Sequence, residues 1–155
     1  MAHSSALRGA VITLQGELGA GKTTFVRHLL RALGVQGRIK SPTYAVMEAY
    51  EARCEGEPLP VAHFDFYRFR DPQEWEDAGF RDVFAGAGLK LCEWPEQAQG
   101  LMPPADLTLN LRILGDDAAD SAGPSGTSGT SGTSRELLAQ AYSPTGLVLL
   151  RALGE

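Results

Sequence analysis

One segment restricts this chain more than any other: GELGAGKT, residues 16–23, lies between two stretches of different periodicity. Ahead of it, residues 10–15 read AVITLQ, a short apolar and β-branched run that suits a buried strand. Behind it, TTFVRHLLRALG sets Phe25, Val26, Leu29, Leu30 and Leu33 at helical spacing, leaves Arg27, His28 and Arg31 on the other face, and ends at Gly34 as a C-cap. Strand, glycine loop and helix in that order predict an α/β chain with a mainly parallel central sheet between helices, a three-layer sandwich.

The residue types of the loop carry chemistry as well as shape. GELGAGKT satisfies the pattern G-x-x-x-x-G-K-[ST] of a phosphate loop (P-loop). Successive amides of such a loop converge on phosphate oxygens, a geometry that side chains obstruct and that needs positive φ, which Gly16, Gly19 and Gly21 supply. Glu17, Leu18 and Ala20 complete the run. Lys22 offers a compact positive charge for β and γ phosphates, the following helix adds its N-terminal dipole, and the Thr23 hydroxyl can ligate Mg2+. ATP and Mg2+ are the expected ligands; a glycine-rich turn before a helix is the plainer alternative.

Farther along, residues 44–50 can pair as a strand, 54–60 carry the Gly and Pro of a turn, and VAHFDFYRF, 61–69, is a second apolar and aromatic strand. Asp71 before Pro72 is a helix start, and GLKLCEW, 88–94, is a third core strand. Leu107, Leu109, Leu111 and Ile113 alternate with Thr108, Asn110 and Arg112, the period-two signal of an antiparallel edge strand with one wet face. The tract GPSGTSGTSGTS, 123–134, has no apolar residue to offset its chain entropy and is expected to be a flexible hairpin loop, at about 115–134. RELLAQAY, 135–142, can return as the hairpin partner, and Ser143 with Pro144 can cap a last helix running to Gly154, although 147–150 suits helix and strand alike.

Composition serves mainly to exclude. With 155 residues, 43% hydrophobic and 21% charged, the chain is expected to be one ordinary globular domain. A net charge of −5 argues against a domain that grips nucleic acid by itself, which takes clustered Lys and Arg. Cys54 and Cys92 form no CxxC pair and are expected to be reduced thiols. MAHSSALRGA lacks the apolar core of a secretory signal, and no apolar run approaches the roughly 18 residues of a membrane span. A cytoplasmic protein without a membrane segment is the expectation.

A nucleotidase with such a loop also needs a carboxylate at the end of a neighbouring strand. Asp65 interrupts the apolar run HFDFY and Glu93 ends LKLCEW, each where a charge is expensive unless a metal or ligand compensates it. Salt bridges to Arg68 or Arg81 are the alternative. SPTY, 41–44, can bring Thr43 to a γ-phosphate as a nucleotide-sensitive loop, or be a simple Pro turn. His63 reads as a satisfied strand histidine more readily than as a base, and Trp75 and Trp94 suit a core or a partner-facing surface equally.

The ordered set GELGAGKTT, SPTY, HFDFYR and CEWPEQ resembles the bacterial TsaE family over about residues 10–114. The resemblance implies an ATPase needed to make threonylcarbamoyl-adenosine in tRNA, acting with TsaB and TsaD and reaching tRNA only through that complex. It implies Lys22 and Thr23 as phosphate and Mg2+ contacts, Asp65 as a Walker B-like acid, Glu93 as a second Mg2+-site carboxylate and Thr43 as the switch residue, with Thr24, Trp94 and Arg135 near the nucleotide. Two departures from the family pattern are the short segment ahead of Ala10 and the Gly/Ser/Thr insert. The residues alone leave two other readings open: a small P-loop kinase with Asp65 as base, and a regulatory module that senses ATP without turnover.

Overall fold

The computed structural model of the chain describes residues 2–115 and 133–155, so the loop expected at about 115–134 lies outside the described residues apart from its ends. Six strands form one sheet: β1 (Val11–Gln15), β2 (Met47–Cys54), β3 (Glu57–Asp65), β4 (Leu89–Glu93), β5 (Leu107–Ile113) and β6 (Arg135–Ala141), in the order β2-β3-β4-β1-β5-β6. β3, β4, β1 and β5 run parallel, while β2 and β6 add antiparallel partners at the two edges. The helices are α1 (Ala2–Leu7), α2 (Lys22–Ala32), α3 (Pro72–Asp77), α4 (Phe80–Ala85) and α5 (Pro144–Leu153). None among the described residues is long and apolar enough to cross a membrane.

Strand alternation divides the core into two layers of contact. On one face Ile12, Leu14, Val61, Leu91 and Leu109 meet Val26 and Leu30 of α2, Leu149 of α5, and the partly buried Leu7 of α1. On the other, Val11, Phe64 and Cys92 meet Trp75 of α3, Phe80 of α4 and Ala98. Phe64 stacks on Phe84 at 4.8 Å and meets Phe80 edge-on at 5.2 Å, geometries that aromatic quadrupoles favour. Coverage on both faces is why β4 is buried along its whole length, Lys90 and its final acid included. The three-layer α/β architecture read from the strand-loop-helix unit is present.

Three local expectations change. β5 is an interior strand, because β1 pairs with it on one side and β6 on the other; β6 is the edge. Its alternation reflects two unequal faces, and periodicity carries no information about what lies beside a strand. The turn expected over 54–60 shrinks to Glu55 and Gly56, at φ +53° and +83°, so β2 extends to Cys54 and β3 begins at Glu57. Pro58 and Pro60 are tolerated because that part of β3 pairs with β2 alone; β4 joins only from Val61. β3 ends at Asp65 instead of running to Phe69, which puts that acid at the strand's last position. The ambiguous stretch 147–150 is helical, and Ser143 caps α5 by accepting from the Gly146 amide at 3.0 Å.

Candidate functional site

In a parallel sheet the loops that follow the strands' carboxyl ends share one edge, and here β1, β3 and β4 deliver Gly16, Asp65 and Glu93 to it. Asp65 and Glu93 are register partners across β3 and β4, and Leu14 is the partner of Glu93 across β1. The chain leaves β1 through Gly16 at φ +148°, where a Cβ would lie 2.5 Å from the Leu111 carbonyl oxygen. Gly21 then stands at φ +104° as the N-cap of α2, and its carbonyl accepts from the Phe25 amide at 2.9 Å. No side chain caps α2 there, so the first amides of the helix, at residues that line the cleft, are left without a side-chain partner.

Lys22 is buried, and its ammonium donates to the carbonyl oxygens of Gly16 at 2.6 Å and Glu17 at 3.0 Å. The same nitrogen lies 4.1 Å from the centre of the Trp94 ring. Burial pulls the Lys22 pKa below the ordinary lysine value, and the negative charges of Glu93, Glu96, Asp65 and Glu17 oppose that fall. Trp94 itself holds φ +54°, a left-handed conformation rare for a bulky residue, immediately after the last residue of β4.

Two hydrogen-bonded groups of side chains converge beside the loop. The Thr23 hydroxyl donates to Glu93 Oε1 at 2.8 Å and also lies 3.2 Å from Oε2, while His63 Nε2 meets Oε2 at 2.6 Å. Next to them, Asp65 Oδ1 accepts from the Tyr67 amide at 2.9 Å and Oδ2 from the Thr43 hydroxyl at 3.3 Å, and Thr43 is 2.7 Å from the Ser41 hydroxyl. Burial raises the Asp65 pKa, an effect that the Tyr67 amide opposes and the nearby Glu93 charge reinforces. The segment carrying Thr43 is tied to β3 through backbone as well: Val46, at φ +65°, donates to Pro42 O and accepts from the Asp65 amide.

Between these groups lies a cleft of about 450 Å3. Its walls include Leu18, Gly19, Gly21, Lys22, Thr23 and Thr24 from the loop and α2, and Thr43, Asp65, Glu93, Trp94 and Arg135 from elsewhere. The residues singled out in the sequence are therefore brought together, with three exceptions of role. Gly16 packs against the β5 backbone, Ala20 is fully buried, and Glu17 shapes the turn through its carbonyl, which accepts from the Ala20 amide at 3.0 Å. The salt-bridge alternative for the two acids fails on position: Arg81 pairs with Glu76 at 2.5 Å, and Arg68 lies over the Tyr44 ring at 4.5 Å. Tyr67 and Arg68 also line the cleft without having been singled out for it, and the signal lay in HFDFYR, where they directly follow the acid.

A family model described as "Threonylcarbamoyl adenosine biosynthesis protein TsaE" matches residues 1–120. The chain belongs to the TsaE family. It is 41% identical over 109 residues to the tRNA threonylcarbamoyladenosine biosynthesis protein TsaE of Haemophilus influenzae, a match covering 70% of this chain and 66% of that protein. To the proteins of the same name from Treponema pallidum and Bacillus subtilis it is 37% and 38% identical, over 76% and 65% of their lengths and 70% of this chain in each case. The chain thus spans just under two thirds of the Haemophilus and Bacillus relatives. The crystal structure of YdiB from Bacillus subtilis is similar in fold, with a TM-score of 0.65 and 27% identity over 99% of this chain and 84% of that one.

Proposed function

We propose that this TsaE-family chain is a Mg2+-dependent ATPase that serves threonylcarbamoyl-adenosine formation in tRNA together with TsaB and TsaD, its nucleotide state acting as a switch. The observation that carries the reading is the Thr23–Glu93 hydrogen bond, 2.8 Å long, at a loop whose amides and lysine suit a chain of phosphates. Threonylcarbamoyl-adenosine biosynthesis is what the family model and the relatives' names describe.

The donor set fits a hard divalent cation. Among the described residues no three His, Cys, Asp or Glu side chains cluster as a metal cage, so a cation here would take one hydroxyl, one or two carboxylates, phosphate oxygens and water, the mixture Mg2+ prefers. ATP would supply the bond to be cleaved and Mg2+ the charge that neutralises its phosphates. In the reading proposed, the amides of Gly19, Gly21, Lys22 and Thr23, which line the cleft, bind phosphate oxygens, and Lys22 turns its ammonium from the Gly16 and Glu17 carbonyls toward them. Thr23 keeps its proton on Glu93 and presents its lone pairs to the cation. Asp65, held by the Tyr67 amide, would orient water on the cation side of the cleft, and Thr43 couples Asp65 to the SPTY segment. With a net charge of −5, contact with tRNA runs through the partners.

Reconstitution tests the reading. The isolated protein should hydrolyse ATP slowly, because a P-loop site without a completing group in trans is slow; TsaB with TsaD should raise turnover severalfold and sustain repeated rounds of tRNA modification. Transfer of labelled phosphate to a small acceptor, with no stimulation by those partners, would replace this reading with a kinase.

A further inference from the structure

Glu93 is enclosed, with 2% of its side chain exposed, and His63 beside it has 1%. A carboxylate removed from water needs donors, and among the described residues it has two, the Thr23 hydroxyl and the His63 ring. A carboxylate oxygen accepts, so the geometry makes His63 Nε2–H the donor between them, and a second proton on Nδ1 would be buried with no acceptor. That Nδ1 is buried without a hydrogen-bond partner. An orphaned ring nitrogen loses its hydration and returns nothing to the fold, so an apolar side chain of similar volume would spare that loss. What the ring contributes lies on its other side, in the 2.6 Å contact with Glu93.

We propose that His63 is a positioning residue: its Nε2–H fixes the Glu93 carboxylate so that Glu93 in turn holds the Thr23 proton, leaving the Thr23 oxygen lone pairs turned to the cation side of the cleft. The inference rests on the Mg-nucleotide reading above. The strand supports it, because His63 sits two positions before Asp65 on β3, paired with Leu91 of β4 and Glu48 of β2, so the ring is carried by rigid sheet and not by a loop. The arrangement has the logic of an outer-shell partner that orients a metal-facing group without touching the metal.

Calorimetric titration of ATP, in EDTA and in Mg2+, on the unaltered chain and on His63→Leu and His63→Gln tests it. The gain in affinity that Mg2+ brings should fall about tenfold or more in His63→Leu, the loss typical of outer-shell partners. Affinity in EDTA should stay within about twofold. His63→Gln, whose amide Nε2 puts an N–H where the ring has one but cannot serve as a base, should keep most of the gain. An undiminished gain in His63→Leu, or equal loss in both variants, overturns the proposal. Imidazole 15N spectra of the free protein provide a readout independent of nucleotide: the Nε2–H tautomer is expected, with its resonance displaced in Glu93→Gln, whereas the Nδ1–H tautomer overturns the proposal. If the unaltered chain bound no nucleotide, the ATPase reading would fall, and the tautomer would still decide the role of His63.

Discussion

The Thr23 hydroxyl lies 2.8 Å from Glu93 Oε1 across a sequence separation of 70 residues, and this contact joins the glycine loop to the end of β4. Glutamine at 93 removes the charge yet keeps a side-chain oxygen able to accept from the Thr23 hydroxyl. Glu93→Gln should therefore stay folded by circular dichroism while ATP turnover falls about tenfold or more, the scale of one group lost from a preorganised site. Asp65→Asn should behave alike. Full activity in both variants would remove the two acids from the chemistry.

Lys22 is held by two loop carbonyls and the Trp94 ring, so its ammonium already lies inside the cleft. Lys22→Ala should weaken ATP binding at least about tenfold, or about 1.4 kcal/mol, by calorimetry. Lys22→Arg should not restore it, because the planar guanidinium cannot occupy the space of a compact ammonium. Unchanged affinity in Lys22→Ala would detach the loop from nucleotide.

Burial raises the folded-state pKa of Asp65 above the ordinary 3.8, so between those two values the folded chain binds more protons than the unfolded one. Stability from this group is then lost as pH rises from about 3.8 through the raised value, and above it the penalty of the buried charge is complete. Asp65→Asn should remove that decline and leave the thermal midpoint at neutral pH equal to or above that of the unaltered chain. Melting curves from pH 3.5 to 7 would show it; an equally steep decline in Asp65→Asn would assign the pH dependence to other groups.

A Cβ on Gly146 would lie 1.8 Å from the Asp106 carbonyl oxygen, a backbone atom fixed at the entry to β5. The side chain of the same Asp106 accepts from the Ser143 hydroxyl at 2.6 Å and from the Val11 amide at 2.8 Å, so α5, β5 and β1 meet at this point. Gly146→Ala should destabilise by about 2 kcal/mol or more through overpacking, a fall of about 5 °C or more in the midpoint. Gly154→Ala, with no such approach, should change the midpoint little. A neutral Gly146→Ala would show that α5 can shift off the sheet freely.

Adjacent residues made the glycine loop between β1 and α2 legible. Its glycines, Lys22 and Thr23 are contiguous, the strand before them and the helix after them have different periods, and the geometry needed at each glycine is a property of one backbone position. The same holds for the Ser143 cap and for Glu93 as the acid closing β4, whereas Asp65, expected within a strand running to Phe69, ends β3 only in the fold. Local chemistry at fixed spacing is written in the chain itself.

Relations between segments were not. That β5 is interior, that β3 starts at Glu57 through two prolines, and that α5 needs glycine at 146 depend on which element lies alongside, and neighbours enter only through the folded sheet. His63 shows the difference most sharply. In sequence it is a polar residue in an apolar strand; in the fold its Nε2 is 2.6 Å from a carboxylate supplied by another strand, while its Nδ1 has no partner. The sequence by itself determined the α/β class, the loop and the chemical identity of the side chains at the strand ends. Only the tertiary structure decided which of them touch, because hydrogen bonds reach about 3 Å and only parallel β3, β4 and β1, pairing in register, bring Asp65, Glu93 and Thr23 within that range of one cleft.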